Sequence, residues 1–291
     1  MTRPSLPNNA MRGSGFSLIE IAIVMVIMSV FLAIVAVPIA TQVTQKRVVE
    51  TQRLLDFAQQ ALIGFASANG RLPCPATDGS TIGTTNSLGI EQFAAGGTAA
   101  TGKCEFWAGY LPAVTLGLSP IDGEGFMVDA WGEKSNRIRY AVWGSDVVSI
   151  NTVLYPFTKS GGIKSATTPT IADTNSSSYP YFLIICQSAP AGAMPTATSA
   201  AISPTPSNLC GAGSTKLSDK APIVIYSLGA NAPTGGTGTD EIVNAKTTAN
   251  QTFAFVSHNY TSGPTNEFDD LVSWLSLNIL LNSMQTAGRL P

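Results

Sequence analysis

Glu20 is the residue whose placement most calls for a chemical explanation. It heads the run Ile21–Ala40, about twenty residues without another charge, and a segment of that length is about what spans a bilayer. An ionisable side chain in such a segment costs about 3 kcal/mol unless it is paired, so Glu20 implies a partner of opposite charge. Other chemistry has little to work with. The chain holds one histidine, His258, and no Gly-x-Ser-x-Gly elbow, HExxH pair or Gly-Lys-Ser/Thr phosphate loop, so the residues predict no enzyme. Asp122, Glu124 and Asp129 lie close in sequence, but their Gly-rich setting reads as a loop rather than as a carboxylate pair for acid–base work. The four cysteines, Cys74, Cys104, Cys186 and Cys210, form no Cys-x-x-Cys, which argues against zinc or thioredoxin-type chemistry and suits disulfides in an oxidising compartment. Three pairings are open; the two short loops, Cys74 with Cys104 and Cys186 with Cys210, are favoured.

A net charge of −2 with only 12 % charged residues is unlike a nucleic-acid protein, whose basic face drives association. The Lys134, Arg137, Arg139 cluster reads as a solvated strand face, and no nucleic-acid partner is expected unless the chain serves DNA uptake.

The run Gly15-Phe16-Ser17-Leu18-Ile19-Glu20, placed directly before the apolar stretch, resembles the class III signal of type IV pilins and type II secretion pseudopilins. That resemblance implies that a prepilin peptidase cuts after Gly15 and that Phe16 becomes the N-methylated first residue. It also implies that Glu20 of one subunit meets the amino group of Phe16 of a neighbour, neutralising two charges that are costly in lipid. Cleavage before the apolar run, rather than after it, retains the anchor. Arg3 and Arg12, with no acid in Met1–Gly15, hold the amino-terminal end in the cytoplasm; Met11 is an alternative start. The implied partners are the peptidase, other pilin or pseudopilin subunits and an inner-membrane assembly platform. The implied location is the bacterial inner membrane, single-pass with the head in the periplasm, and then a filament.

Two head segments carry a second resemblance. Asp129-Ala130-Trp131-Gly132 followed by Tyr140 is similar to the Asp-x-Trp-Gly segment of major pseudopilins, and Tyr226–Glu241 is similar to their calcium-binding loop. The resemblance implies calcium held by the carbonyl of Leu228 and by Asn231, Asp240 and Glu241, in a Gly-rich loop whose backbone oxygens can turn inward. Asn231 stands where that pattern has an acid, which weakens the site. Asp269 and Asp270 read instead as first-turn residues of a closing helix.

These residues need a scaffold, and the sequence outlines four parts: 1–15 a leader, 16–40 a membrane and assembly helix, 41–70 its amphipathic continuation, and 71–291 an extracytoplasmic head. Val48, Leu55, Ala58, Leu62 and Phe65 recur at helical spacing up to the stop Asn69-Gly70. Candidate strands are Arg137–Trp143, Tyr181–Cys186, Ile223–Leu228 and Thr252–Val256, with a short ordered segment at Gly109–Leu118. Thr77–Gly102 and Ser188–Lys220 read as irregular loops, and Glu267–Pro291 as a C-terminal helix. The expected class is α+β, a long amino-terminal helix packed on a small antiparallel sheet. The expected function is a pilin-like structural subunit, minor or specialised, with a filament-tip binding module (adhesin or DNA uptake) as the alternative.

Overall fold

The computed structural model describes residues 17–77, 88–143, 149–150, 153–167, 182–189, 210, 213–236, 238–246, 253–261 and 267–290, with side chains undescribed at 33–41, 149–150, 153–154 and 165–167. Two compact units emerge, Met1–Lys46 and Arg47–Pro291. The first helix, α1 (Leu18–Asn69), begins in one and ends in the other.

In chain order there follow β1 (Ala108–Tyr110), α2 (Ala113–Leu116), β2 (Arg139–Val142), β3 (Ser149–Ile150), β4 (Val153–Leu154), α3 (Gly162–Thr167), β5 (Leu183–Cys186), β6 (Lys216–Ala221), β7 (Ile223–Ser227), α4 (Thr239–Ala245), β8 (Ala254–Val256), β9 (Leu271–Leu275) and α5 (Leu277–Thr286). The main sheet runs β1-β2-β7-β9, antiparallel throughout; a second sheet runs β6-β5-β8, and β3 pairs with β4. The second sheet is mixed, because β8 lies parallel to β5. Pro222 separates β6 from β7 and supplies no N–H to either ladder, so the chain leaves one sheet and enters the other there.

Every residue of β7 is buried, the pattern of a strand covered on both faces. Leu55, Ala58, Leu62 and Ala66, one stripe of α1, join Trp107, Tyr140, Val142, Val224, Tyr226 and Leu275 in a single core. Aromatic edges interlock there, with Tyr226 on Phe255 at 5.2 Å and Trp107 on Phe253 at 5.0 Å. The last turn of α1 holds no basic residue; Arg289 supplies one from the far end of the chain, its Nε donating to the Ser67 carbonyl at 2.9 Å and an Nη to that of Ala68.

Two expectations need correction. Glu267–Pro291 is not one helix: Leu271–Leu275 pairs with β7, and α5 starts only at Leu277, where the Ser276 Oγ accepts from the Ile279 N–H at 3.4 Å. Phe268, Leu271, Val272 and Leu275 fit a helical period, yet a short apolar run next to a buried strand is worth more as its edge partner. Lys216–Ala221 is likewise strand rather than loop; its outward polar side chains hid it.

Candidate functional site

Two regions carry the residues singled out by sequence. At the amino terminus Gly15 and Phe16 lie outside the described residues. Ser17 precedes the first helical residue, and its N–H donates to Glu20 Oε2 at 3.4 Å, while the Glu20 and Ile21 amides donate to its carbonyl at 3.0 and 3.2 Å. Ser-x-x-Glu is the spacing of a capping box, so Glu20 satisfies a helix-end donor and sits where the helix dipole favours a negative charge. Every side chain from Ser17 to Leu32 is exposed; Leu18 is 89 % and Leu32 71 % accessible. Ser29, the polar residue within this stretch, turns inward and donates to the Val26 carbonyl at 2.8 Å. Among the described residues no helix is long and apolar enough to cross a membrane. The apolar run Ile21–Ala40 reaches into 33–41, whose side chains are not described.

In the head, Asn231 and Glu241 do come together, with Asn231 Nδ2 donating to Glu241 Oε1 at 2.9 Å. Asp240 does not join them. One residue along α4 it points elsewhere, accepting from the Ala189 N–H at 2.5 Å and lying 3.1 Å from His258 Nε2, while the His258 ring stacks on Phe268. Leu228 buries its side chain in the core beside Gly229. The partners that sequence reasoning missed are Asp269 and Asp270, set just before β9 rather than in a helix. One carboxylate oxygen each of Glu241, Asp269 and Asp270 lies within 4.8 Å of the others. Nothing local in the sequence joins 241 to 269; the pairing of β9 with β7 does.

Backbone amides line this cluster. Ala230 and Asn231 N–H donate to Asp269 Oδ2 at 2.7 and 3.2 Å, and the Asp269 and Gly238 N–H donate to the two oxygens of Glu241 at 3.1 and 3.3 Å. Asn244 Nδ2 donates to Asp270 Oδ2 at 2.8 Å. Burial, with the Glu241 charge, pushes Asp269 up to about 6. Asp270 rises well above the usual carboxylate range, first by burial and then through Glu241 and Asp269, despite the Asn244 hydrogen bond. Gly229 makes room: a Cβ there would lie 2.4 Å from Asp269 Oδ1. That oxygen and Asn231 Oδ1 are buried without a hydrogen-bond partner. Buried oxygens without a hydrogen-bond partner beside crowded carboxylates are groups that a cation could satisfy. The donor set is all oxygen, with no His or Cys, which suits a hard ion such as calcium; its about six to eight ligands would need backbone carbonyls or water besides Glu241, Asp269, Asp270 and Asn231.

The Asp129 segment braces this loop. Asp129 Oδ2 accepts from Ser227 Oγ at 2.5 Å and Asn136 Nδ2 at 3.1 Å, and Asn136 Nδ2 also donates to the Gly229 carbonyl. Nor is the basic cluster one solvated face: Lys134 stays 65 % exposed at its side chain, but Arg137 is buried. Arg137, 2 % exposed at its side chain, pairs with Asp122 at 2.7 Å and Glu124 at 2.9 Å, and Lys134 pairs with Glu124. The guanidinium lies 4.1 Å over Phe126, which its planar charge tolerates in a way a solvated lysine would not. Both disulfides are closed, Cys74–Cys104 and Cys186–Cys210, across 30 and 24 residues.

The family profile described as the prokaryotic N-terminal methylation motif matches residues 11–36, so the chain carries the class III prepilin signal of type IV pilins and pseudopilins. That motif marks a precursor for prepilin peptidase and for assembly with other pilin-like subunits. No curated protein and no solved structure matches the chain.

Proposed function

We propose that the chain is a minor or specialised subunit of a type IV pilus or type II secretion pseudopilus. It would wait in the bacterial inner membrane as a single-pass precursor with its head in the periplasm. Prepilin peptidase cuts between Gly15 and Phe16, and an inner-membrane assembly platform moves the mature chain into the filament. The observation that carries this reading is the uncovered apolar surface of Leu18–Leu32 with one carboxylate, Glu20, at its amino-terminal end. A helix apolar all round needs lipid or other helices as its surroundings. Mass spectrometry of the mature amino terminus tests the proposal: an N-methylated Phe16 is expected, and a chain starting at any other residue overturns it.

Within the head, calcium at Glu241, Asp269, Asp270 and Asn231 would hold the 229–241 loop to the start of β9, a structural role rather than a chemical one. The second sheet and its Cys186–Cys210 bridge exceed what helix packing requires, which favours a tip-located binding module as the second reading. With Lys134 and Arg137 neutralised, adhesion is the better form of it than DNA uptake. Subunit copy number in purified filaments separates the two: a tip module is present about once per filament, a shaft subunit many times.

A further inference from the structure

A cleft of about 350 Å³ opens in the head between the loop closed by the Cys74–Cys104 disulfide and the turn that follows β4. One wall holds Gly96, Gly97, Thr101 and Lys103, the other Tyr155 and Lys159. The two walls are fastened together. Thr158 Oγ1 donates to the Gly102 carbonyl at 2.6 Å, and the Ser160 N–H donates to that of Ala99 at 2.8 Å. Gly102, at φ 78°, approaches so closely that a Cβ would lie 2.5 Å from the Lys159 Cα, which sets Lys103 and Lys159 side by side. Tyr155 adopts φ 54°, a left-handed conformation rare for an aromatic residue, held because its carbonyl accepts from the Thr158 and Lys159 amides. Backbone held in a costly conformation at a cleft wall is typical of ligand sites.

The charge of the cleft has one sign. None of its lining residues is acidic. Among the described residues Arg71, Lys134, Arg137 and Lys216 each rest on a carboxylate, whereas Lys103 and Lys159 take part in no ion pair. Two ammonium groups beside one concavity, walled by small residues, make a local positive potential in a chain of net charge −2. The volume sits at the low end of small-molecule sites, about 300–1,000 Å³. We propose that this cleft binds a small polar molecule through an oxyanion, a phosphate or carboxylate group, with Lys103 and Lys159 as its counter-charges. The site lies wholly in the head and does not depend on filament assembly or on calcium.

Calorimetric titration of the full chain in a non-ionic detergent, with inorganic phosphate in one arm and D-glucuronate in another, tests this. Saturable binding of at least one probe is expected, weakened tenfold or more by Lys103→Gln and by Lys159→Gln and unchanged by Lys134→Gln, which lies outside the cleft. The arm that binds tells a phosphate ligand from a carboxylate one. Lys103 is solvent-exposed, so its replacement leaves folding intact, and thiol counting confirms closed disulfides in each variant. Absence of heat with both probes up to about 20 mM, well above a millimolar Kd, overturns the proposal, as does binding that survives the double Lys103→Gln, Lys159→Gln variant.

Discussion

Leucine, isoleucine and valine behave in opposite ways in the two units of this chain. Between Leu18 and Leu32 they are exposed around the whole helix circumference; within Arg47–Pro291, Leu55, Leu62, Ile223 and Val224 are fully buried. Composition and arrangement both distinguish the regions, since Leu18–Leu32 is apolar at every position but Glu20 and Ser29. From Leu55 to Ala66 the buried residues recur at steps of three and four and leave Arg53, Asp56 and Gln60 facing outward, so the chain covers them with its own sheet. From Leu18 to Leu32 no polar face exists, and among the described residues the apolar side chains stay exposed. Each Å² of apolar surface removed from water is worth about 25 cal/mol, so this helix gains its stabilisation only from surroundings that other molecules supply. The head is a folding problem solved within the chain; the amino-terminal helix is one half of an assembly problem.

The largest expected effect on assembly follows from Glu20. Glu20→Ala should leave the protein in the membrane fraction but reduce its recovery in sheared filaments at least tenfold, a loss of about 1.4 kcal/mol or more in the partition. Glu20→Gln separates two accounts of that residue. The amide keeps an oxygen for the Ser17 N–H but not the charge. Normal assembly of Glu20→Gln would assign Glu20 to helix capping alone, whereas failure of both variants requires a charged partner.

The largest effect on folding stability lies in the head core. Trp143 is fully buried against Phe182 at 4.8 Å and Phe157 at 6.2 Å, so Trp143→Ala should cost about 3–5 kcal/mol in denaturant unfolding. Membrane retention should be unchanged, since no residue of Leu18–Leu32 belongs to that core. A cost under about 1 kcal/mol would mean that the site collapses or was never tightly packed.

Paired replacement Cys74→Ser with Cys104→Ser should cost about 3 kcal/mol, as expected for freeing a loop of that length in the unfolded chain. It should also loosen the Lys103–Lys159 cleft, because Arg71, Glu91 and the Cys74 N–H form a bonded cluster at the same disulfide, with Arg71 gripping Glu91 at 2.7 Å through both oxygens. Phosphate or glucuronate binding that is indifferent to the bridge would show that the Thr158–Gly102 and Ser160–Ala99 bonds hold the cleft walls without it.

How much of this was legible depends on the range of the forces involved. The helix that ends at Asn69 and the strands β2, β5, β7 and β8 declare themselves because their residues are apolar on a local period. β6 does not, since its sequence Lys-Leu-Ser-Asp-Lys-Ala is polar and reaches the sheet only by pairing with β5. β9 carries a pattern that fits either period, and its neighbour β7 decides. The carboxylate cluster failed for the same reason. Glu241 and Asn231 share a loop and were visible together, but Asp269 and Asp270 arrive through tertiary pairing. Asp240, adjacent to Glu241 in sequence, projects from another side of α4 toward His258.

The smallest effect tests that cluster. Asp269 sits at about 6 in the folded chain against 3.8 for an ordinary aspartate, so the folded state binds its proton more tightly than the unfolded state does. The stability this group contributes is therefore complete below about pH 4 and is lost as the pH rises through about 6. Asp270 and Asp129, both raised by burial, act in the same direction, while Asp122, lowered against its burial by hydrogen bonds from the Phe126 amide and Arg137, and Glu124, lowered by hydrogen bonds from Lys134 and Arg137, lose their contribution only at more acid pH. In metal-free buffer the melting temperature of the head should fall between pH 4 and pH 7. Calcium held as proposed would bind the ionised carboxylates and so oppose that fall; at a concentration equal to Kd it would add about 0.4 kcal/mol, or about 1–2 °C. Asp269→Asn should weaken the pH dependence, leaving the part that Asp270 and Asp129 contribute, and abolish the calcium shift, because the same carboxylate takes part in both. A calcium shift retained in Asp269→Asn but lost in Asp240→Asn would move the ion to the His258 side of α4, and a flat profile in the unaltered protein would mean that water reaches these carboxylates in the folded state.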